Sequence, residues 1–380
     1  MADTTRTAAS AARTPLRSIL APAALVRMAI GWLAVALLPV AGGSPLALAP
    51  TVAVIVVCAF GVVHQAEHLA ARLGDPLGTL VLTLSIVLIE VVLIVAVMLG
   101  PGDHATIARD SVLAVSMIIL NLVVGLALLV GGLRHGALHH NRSGTSAYLV
   151  VLTVLLAVTF GMPLLAGNGG TFTTAQAIAA IVLTAGLYAF FLWRQTGAQA
   201  SDFVEAAATS PTGERAAAQH PATRTVVRAH RRELLTRLAL LVATVSPIVL
   251  LSHDMATMLD VALALLHAPT ALSGILIAAV VFLPEAITSV RAGLRGEIQR
   301  VSNLCHGALV STVGLTVPAV LAVGLLTGQS VVLAVDGTGM LLLAVSLLLS
   351  VTTFSGARTS SVHGAAHLAL FAMFGITVFV

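Results

Sequence analysis

Apolar residues in this chain come in long, nearly unbroken runs rather than in the short alternations of a soluble fold. A helix needs about 20 apolar residues to cross roughly 30 Å of hydrocarbon. Runs of that order recur at 25–41, 46–64, 77–99, 111–133, 146–166, 174–193, 235–252, 270–290, 304–326, 329–350 and 362–380. The first is the weakest, being interrupted by Gly31 and Pro39. The breaks are short except at 194–234, which holds Ser, Thr, Pro, Gln and, counted through Arg237, seven Arg. The pattern predicts an all-α integral membrane protein of about eleven transmembrane helices. Residues 1–24 read as a cytoplasmic tail and 25–45 as a first helix. Two five-helix units follow, 46–195 and 235–380, joined by a partly helical cytoplasmic linker, 196–234.

Composition sharpens this picture. Of 380 residues, 58% are hydrophobic and 9% charged, against about 25% charged in soluble domains. With a mean hydropathy of +1.04, a soluble multidomain enzyme is excluded. All 19 basic residues are arginine. A pI near 10.0 would suit a nucleic-acid partner, but the arginines lie in breaks between apolar runs, where basic residues record topology. Nucleic acid is therefore not expected; the partner is the lipid bilayer. With the N-terminus in the cytoplasm and strict alternation, 18 of the 19 arginines fall inside and only Arg109 outside. The C-terminus is then extracytoplasmic. The Arg-rich start, the apolar run and Ala47-Leu48-Ala49 also resemble a cleavable signal peptide, whose removal would leave the remaining topology unchanged. Cys58 and Cys305 sit alone in apolar sequence and read as inert buried thiols. Abundant Ala, Val, Leu and Arg without Lys suggests a GC-rich bacterial genome.

Within the apolar runs, two acids stand out. Gly78-Thr79-Leu80 leads to Glu90 in the third run, and Ser273-Gly274-Ile275 leads to Glu285 in the eighth. Each following run carries a polar and glycine pattern, Asn121 to Gly125 in one half and Ser311-Thr312-Val313-Gly314 in the other. The two acidic spans are five apart, and an odd offset reverses orientation in the membrane. This predicts one N-terminal helix plus two inverted-topology five-helix repeats, an arrangement that places a substrate site near the midplane. A charge at the bilayer centre costs about 2.5–3.5 kcal/mol even on a lenient scale. Burial and mutual repulsion both oppose a doubly ionised pair. Such a pair is neutralised by two protons or one divalent cation, which is the logic of exchange. Carboxylate oxygen suits hard cations, but Ca²⁺ takes about six to eight oxygens, so other groups must contribute. Thr83, Ser85, Asn121, Ser289, Ser311 and Thr312 are the candidate supporting ligands. Pro284 removes an amide hydrogen before Glu285 and frees a carbonyl one turn earlier.

Other polar residues suggest paths rather than a site. His64, Glu67 and His68 match the HxxEH pattern of inverted zinc peptidases, but no ligand from a second segment accompanies them. A proton relay, a pH-sensitive gate or a structural interface suits them better. His306 lies within a span near Asn303, and Asp336 lies next to Gly337 near the outer end of the tenth run; both are candidates for a proton path or gate. There is no nucleotide-binding motif, so transport would be secondary.

The stretch 64–99, beginning HQAEHLAARLGDPLGTLVLTLSIVLIEVVLI, resembles the calcium/proton antiporters of the cation/calcium exchanger superfamily. So do 109–134, 283–318 and 352–374, with the phrases LPEAITSVRAG, NLCHGALVSTVGLTVP and TFSGARTSSVHGAAHLALF. The similarity is nearest to the bacterial branch that also handles sodium or potassium. It implies an eleven-span fold of two inverted repeats, with Glu90 and Glu285 matching the family's cation- and proton-binding glutamates. The chain departs from the family in lacking a Gly-Asn pair before each Glu. It also has Ala308 where a Ser is expected and His306 where an apolar residue is expected. The expected function is secondary active exchange of Ca²⁺ for H⁺ across the bacterial cytoplasmic membrane without a cofactor. Na⁺(K⁺)/H⁺ exchange on the same site is the alternative. A metallo-hydrolase would depend on His64 instead, and a channel would show no proton coupling.

Overall fold

The computed structural model describes residues 22–41, 45–73, 77–100, 104–203, 223–269 and 271–379. Most of the predicted tail and the middle of the linker lie outside these residues. The helices are α1 (Pro22–Leu37), α2 (Leu48–Leu73), α3 (Leu77–Met98), α4 (Ile107–His135), α5 (Arg142–Leu165) and α6 (Thr174–Thr196). They continue as α7 (Thr223–Leu265), α8 (Ala271–Leu294), α9 (Ile298–Thr327), α10 (Gly337–Ser355) and α11 (Ser361–Thr377). Every predicted apolar run overlaps one of them. Among the described residues, eight helices are long and apolar enough to cross a membrane, and Pro22–Leu37, Val87–Met98 and Ser361–Thr377 are shorter apolar helices.

Local sequence sets the boundaries. Thr173 and Gln176 form a capping box at the start of α6, satisfying backbone donors that a helix N-terminus leaves free. Asn141 caps α5 through Ser143 N. Gly328, at φ +72°, ends α9 in the left-handed conformation that glycine adopts without a Cβ penalty. The tenth helix starts later than the apolar run at 329–350 predicts. Residues 329–336 instead pack against neighbouring loops: Val332 N donates to Ala105 O, and Leu333 N and Ala334 N donate to Gly170 O. Tertiary partners thus satisfy the backbone of this β-branched stretch, and the helix begins where Asp336 can accept from Gly339 N at 2.7 Å. In the other direction, α7 begins twelve residues before the predicted run, inside the linker.

The bundle is organised around α3, α4, α8 and α9. Helix α3 packs on α9 and α8 on α4; α6 lies on α9 and α11 on α4; α2 pairs with α7, and α1 rests on both. Lipid tails are as apolar as leucine, so helices associate here through close packing and polar contacts. Glycines supply the closeness on α4. A Cβ on Gly293 of α8 would stand 2.6 Å from Ala127 O, and one on Gly364 of α11 would stand 2.6 Å from Gly125 O. Two loop clusters close the ends. One joins the segments around Leu138, Thr359, Gly296 and Phe203, and carries Arg134, Arg142, Arg295 and Arg358. The other joins Ala105, Gly170 and Val332 and carries Arg109.

Valine at Gly293 or Gly364 should lower the stability of the purified protein by about 1–3 kcal/mol through overpacking. Thermal unfolding in detergent measures this. Gly186→Val on α6, where nothing lies within 4 Å, should melt close to the parent.

Candidate cation-binding site

The two glutamates come together in the centre of the bundle. Glu90 on α3 is 6% exposed and Glu285 on α8 is 1% exposed. They are near enough for each charge to act on the other. Thr312 of α9 donates its hydroxyl to Glu90 Oε2 at 2.6 Å, so α9 from the second half holds the acid of the first. Glu90 Oε1 and both oxygens of Glu285 have no hydrogen-bond partner among the described residues. A buried carboxylate oxygen without a donor is costly, so this group of oxygens is set up to receive a proton or a cation. Pro284 lies inside α8 immediately before Glu285, and it breaks the backbone ladder beside the site. The chain neighbours of the two acids, Ile89 and Pro284, line an apolar void of about 10 Å³ with Ile55, Ala59, Val63, Ile248 and Val281. That is the space of roughly one water-sized sphere.

The sequence-predicted helpers divide. Thr312 reaches Glu90, and Ser289 is fully buried one turn after Glu285. Ser311 is bound elsewhere: it donates to Gly307 O at 2.9 Å and accepts from Tyr188 Oη at 3.0 Å. Asn121 sits on a π-turn of α4, Ile118–Val123, and donates to Ser346 Oγ at 2.7 Å while its oxygen faces His367 Nδ1 at 3.4 Å. Ser85 is half-buried on α3, and the Thr83 side chain lies outside the described residues.

The candidate path and gate residues are spread over the molecule. His64 and His68 are exposed on α2, their rings edge to face at 4.6 Å, with Glu67 half-buried between them. Asp336 caps α10 and lines a cavity of about 460 Å³ with Arg109, Asp110 and Thr338 at the opposite end from most of the arginines. His306 is wholly buried on α9, with Nδ1 2.9 Å from Ser302 Oγ.

Several buried polar residues escaped the sequence reading. Arg237, counted there as a topology marker, is buried: its Nε lies 3.2 Å from Glu233, and its Nη1 donates to Gln65 of α2 at 3.0 Å. Tyr148 accepts from Gln195 at 2.6 Å. His140, in the loop before α5, bonds Phe354 O at 3.0 Å, and burial lowers its pKa below the usual histidine value. Apart from the Arg237–Glu233 pair, each of these bonds joins residues far apart in sequence.

Comparisons with known proteins bear on the family and the fold. Residues 43–197 match the model of the sodium/calcium exchanger protein family. The chain is 35% identical over 318 residues to the ionic transporter y4hA of Sinorhizobium fredii, covering 83% of each chain. It is 34% identical to the sodium-potassium/proton antiporter ChaA of Escherichia coli K12, over 84% of this chain and 85% of that one. The chain belongs to the sodium/calcium exchanger family. It is therefore a membrane cation exchanger of the cation/calcium antiporter superfamily and not an enzyme, which removes the metallo-hydrolase alternative. Its fold is similar to that of native YfkE, with a TM-score of 0.67 at 15% identity, covering 94% of this chain and 99% of that one.

The Thr312 bond gives this exchanger a direct test. A hydrogen bond to a charged group contributes about 1.5–3 kcal/mol, so Thr312→Val should raise the half-saturating cation concentration about tenfold. It should also let protons compete at higher pH, because ionised Glu90 loses its donor. Thr312→Ser should restore most of the affinity in the same transport assay.

Proposed function

We propose that this chain is a secondary active antiporter of the bacterial inner membrane that exchanges Na⁺ or K⁺ for protons. Glu90 and Glu285 bind cation and proton in competition. The observation that carries the reading is the paired, fully buried carboxylates with three oxygens unpartnered among the described residues. Charge explains the coupling. An empty, doubly ionised pair is expensive at membrane depth, while a neutralised pair can be carried across by rocking helices. Among the described residues one neutral side-chain oxygen, that of Thr312, is bonded to the carboxylates, a thin shell for Ca²⁺, which takes about six to eight oxygens. The substantial identity to ChaA, named as a sodium-potassium/proton antiporter, supports the same choice. Ca²⁺/H⁺ exchange is the second reading, and it has its own argument: one divalent ion neutralises the pair alone. A single Na⁺ leaves one carboxylate that must keep a proton or take a second Na⁺.

The packing supports the remaining architecture. Contacts of α3 on α9 are mirrored by α8 on α4, and α6 on α9 by α11 on α4. This pairing supports a reading as two inverted repeats, 46–195 and 235–380, with α1 outside them and the linker 196–234 between. The arginine bias supports a cytoplasmic N-terminus and an extracytoplasmic C-terminus. Glu67, His64 and Asp336 lie at the ends of the molecule, in keeping with roles at its mouths.

Purified protein in liposomes with an imposed pH gradient and an internal pH dye tests this. Na⁺ or K⁺ should collapse the gradient, and Glu90→Gln and Glu285→Gln should each abolish the effect. Collapse by Ca²⁺ alone would establish the second reading. Gln variants that behave like the parent would overturn the carboxylate mechanism.

A further inference from the structure

The two acids are not served alike. Glu90 accepts the Thr312 hydroxyl from α9 at 2.6 Å, whereas neither oxygen of Glu285 has a hydrogen-bond partner among the described residues. The sequence around Thr312 shows what is missing. Thr312 precedes Val313-Gly314-Leu315 on α9, and the same Val-Gly-Leu triplet stands on α4 as Val124-Gly125-Leu126. The structure uses the two triplets in the same way. A Cβ on Gly314 would stand 2.8 Å from Tyr188 Cβ of α6, and one on Gly125 would stand 3.1 Å from Gly364 O and His367 Cβ of α11. Each glycine lets its helix approach the last helix of the opposite five-helix unit. With the two glycines aligned, the position of Thr312 is taken in the first unit by Val123.

The packing of α4 on α8 brings Val123 to the level of Glu285. The two helices run parallel. Near their starts a Cβ on Gly274 would stand 3.1 Å from Ser111 N. Further along, a Cβ on Gly293 would stand 2.6 Å from Ala127 O, and one on Gly131 would stand 2.6 Å from Gly293 O. Glu285 lies about two turns before Gly293, and Val123 lies about two turns before Gly131 and one before Ala127. Those spacings keep both residues on the faces that make these contacts. Val123 is 1% exposed and Ile119, one turn earlier, is 0% exposed. At the depth of Glu285 the facing helix therefore offers methyl groups where α9 offers Glu90 a hydroxyl.

Resting on the exchange and two-repeat readings above, we infer that Val123 is a specificity-determining residue of the cation site: it withholds from Glu285 the neutral oxygen that Thr312 gives Glu90, and so selects a monovalent cation against Ca²⁺. The argument is one of desolvation. In the Born picture the cost of taking an ion out of water grows with the square of its charge, so an oxygen missing from the site counts more against Ca²⁺ than against Na⁺. Ca²⁺ also fills a shell of about six to eight oxygens. Valine and threonine share a branched Cβ and differ by a methyl against a hydroxyl, so the selection turns on one atom.

Val123→Thr supplies that atom with little change of volume. Proteoliposomes with an imposed pH gradient and an internal pH dye give the half-saturating Na⁺ and Ca²⁺ concentrations of each variant. In Val123→Thr the value for Ca²⁺ should fall about tenfold while that for Na⁺ stays within about threefold of the parent. Val123→Ala frees space without adding an oxygen, and its Ca²⁺ to Na⁺ ratio should match that of the parent. An unchanged ratio in Val123→Thr would overturn the inference. So would an equal shift in Val123→Ala, which would make Val123 a packing residue. Should the threonine variant fail to fold, Val123→Ser carries the same hydroxyl in a smaller side chain and decides the matter. The parent alone tests the underlying reading before any variant is made. A parent driven by Ca²⁺ and by no monovalent ion would overturn the Na⁺ or K⁺ reading and the selectivity assigned to Val123 with it. A parent that moves no protons with any cation would overturn exchange itself.

Discussion

Two carboxylates in the middle of an apolar bundle set the terms for everything around them. Ionising either one calls for a counter-charge, and among the described residues no arginine is bonded to either acid. Arg237, the buried arginine of α7, is already committed to Glu233 and Gln65. What the bundle provides is one hydroxyl, from Thr312, and several oxygens left open. The remaining charge has to arrive from outside, as a cation or as protons. A buried acid pair of this kind differs from a stably folded ion pair in that its charge is not answered from within.

The four central helices follow from that constraint. Each acid is on a helix packed against a helix of the other half, α3 on α9 and α8 on α4. The oxygens of the site therefore belong to both halves, and a displacement of one half changes the coordination. Close glycine packing of α4 on α8 and α11 keeps this centre stiff.

Much of this was legible in the sequence, for a physical reason in each case. Span length is set by membrane thickness, so the runs announced the helices. Glu90 and Glu285 were visible because charge is rare in apolar sequence. Thr312 was named because a hydroxyl near a glycine pattern is unusual at depth. The same criterion also selected Asn121 and Ser311, whose hydrogen bonds go to Ser346 and Tyr188 instead. A residue type cannot say which face of a helix it occupies. Arg237 was read as a surface marker because a buried and a solvated arginine are spelled alike, and its partner Gln65 lies 172 positions away. The late start of α10 was hidden because residues 329–336 are as apolar as a span, yet find backbone partners in Ala105 and Gly170.

Helix α7 has 43 residues, a length of about 65 Å at 1.5 Å per residue. The hydrocarbon it crosses is only about 30 Å thick. Its N-terminal part therefore projects as an arm continuous with the segment that packs on α2. A tilt of about 10° within the membrane would sweep the tip of an arm about 35 Å long through roughly 6 Å. Small rotations at the core become large excursions at the surface, and a load applied to the arm acts on the core with the same mechanical advantage.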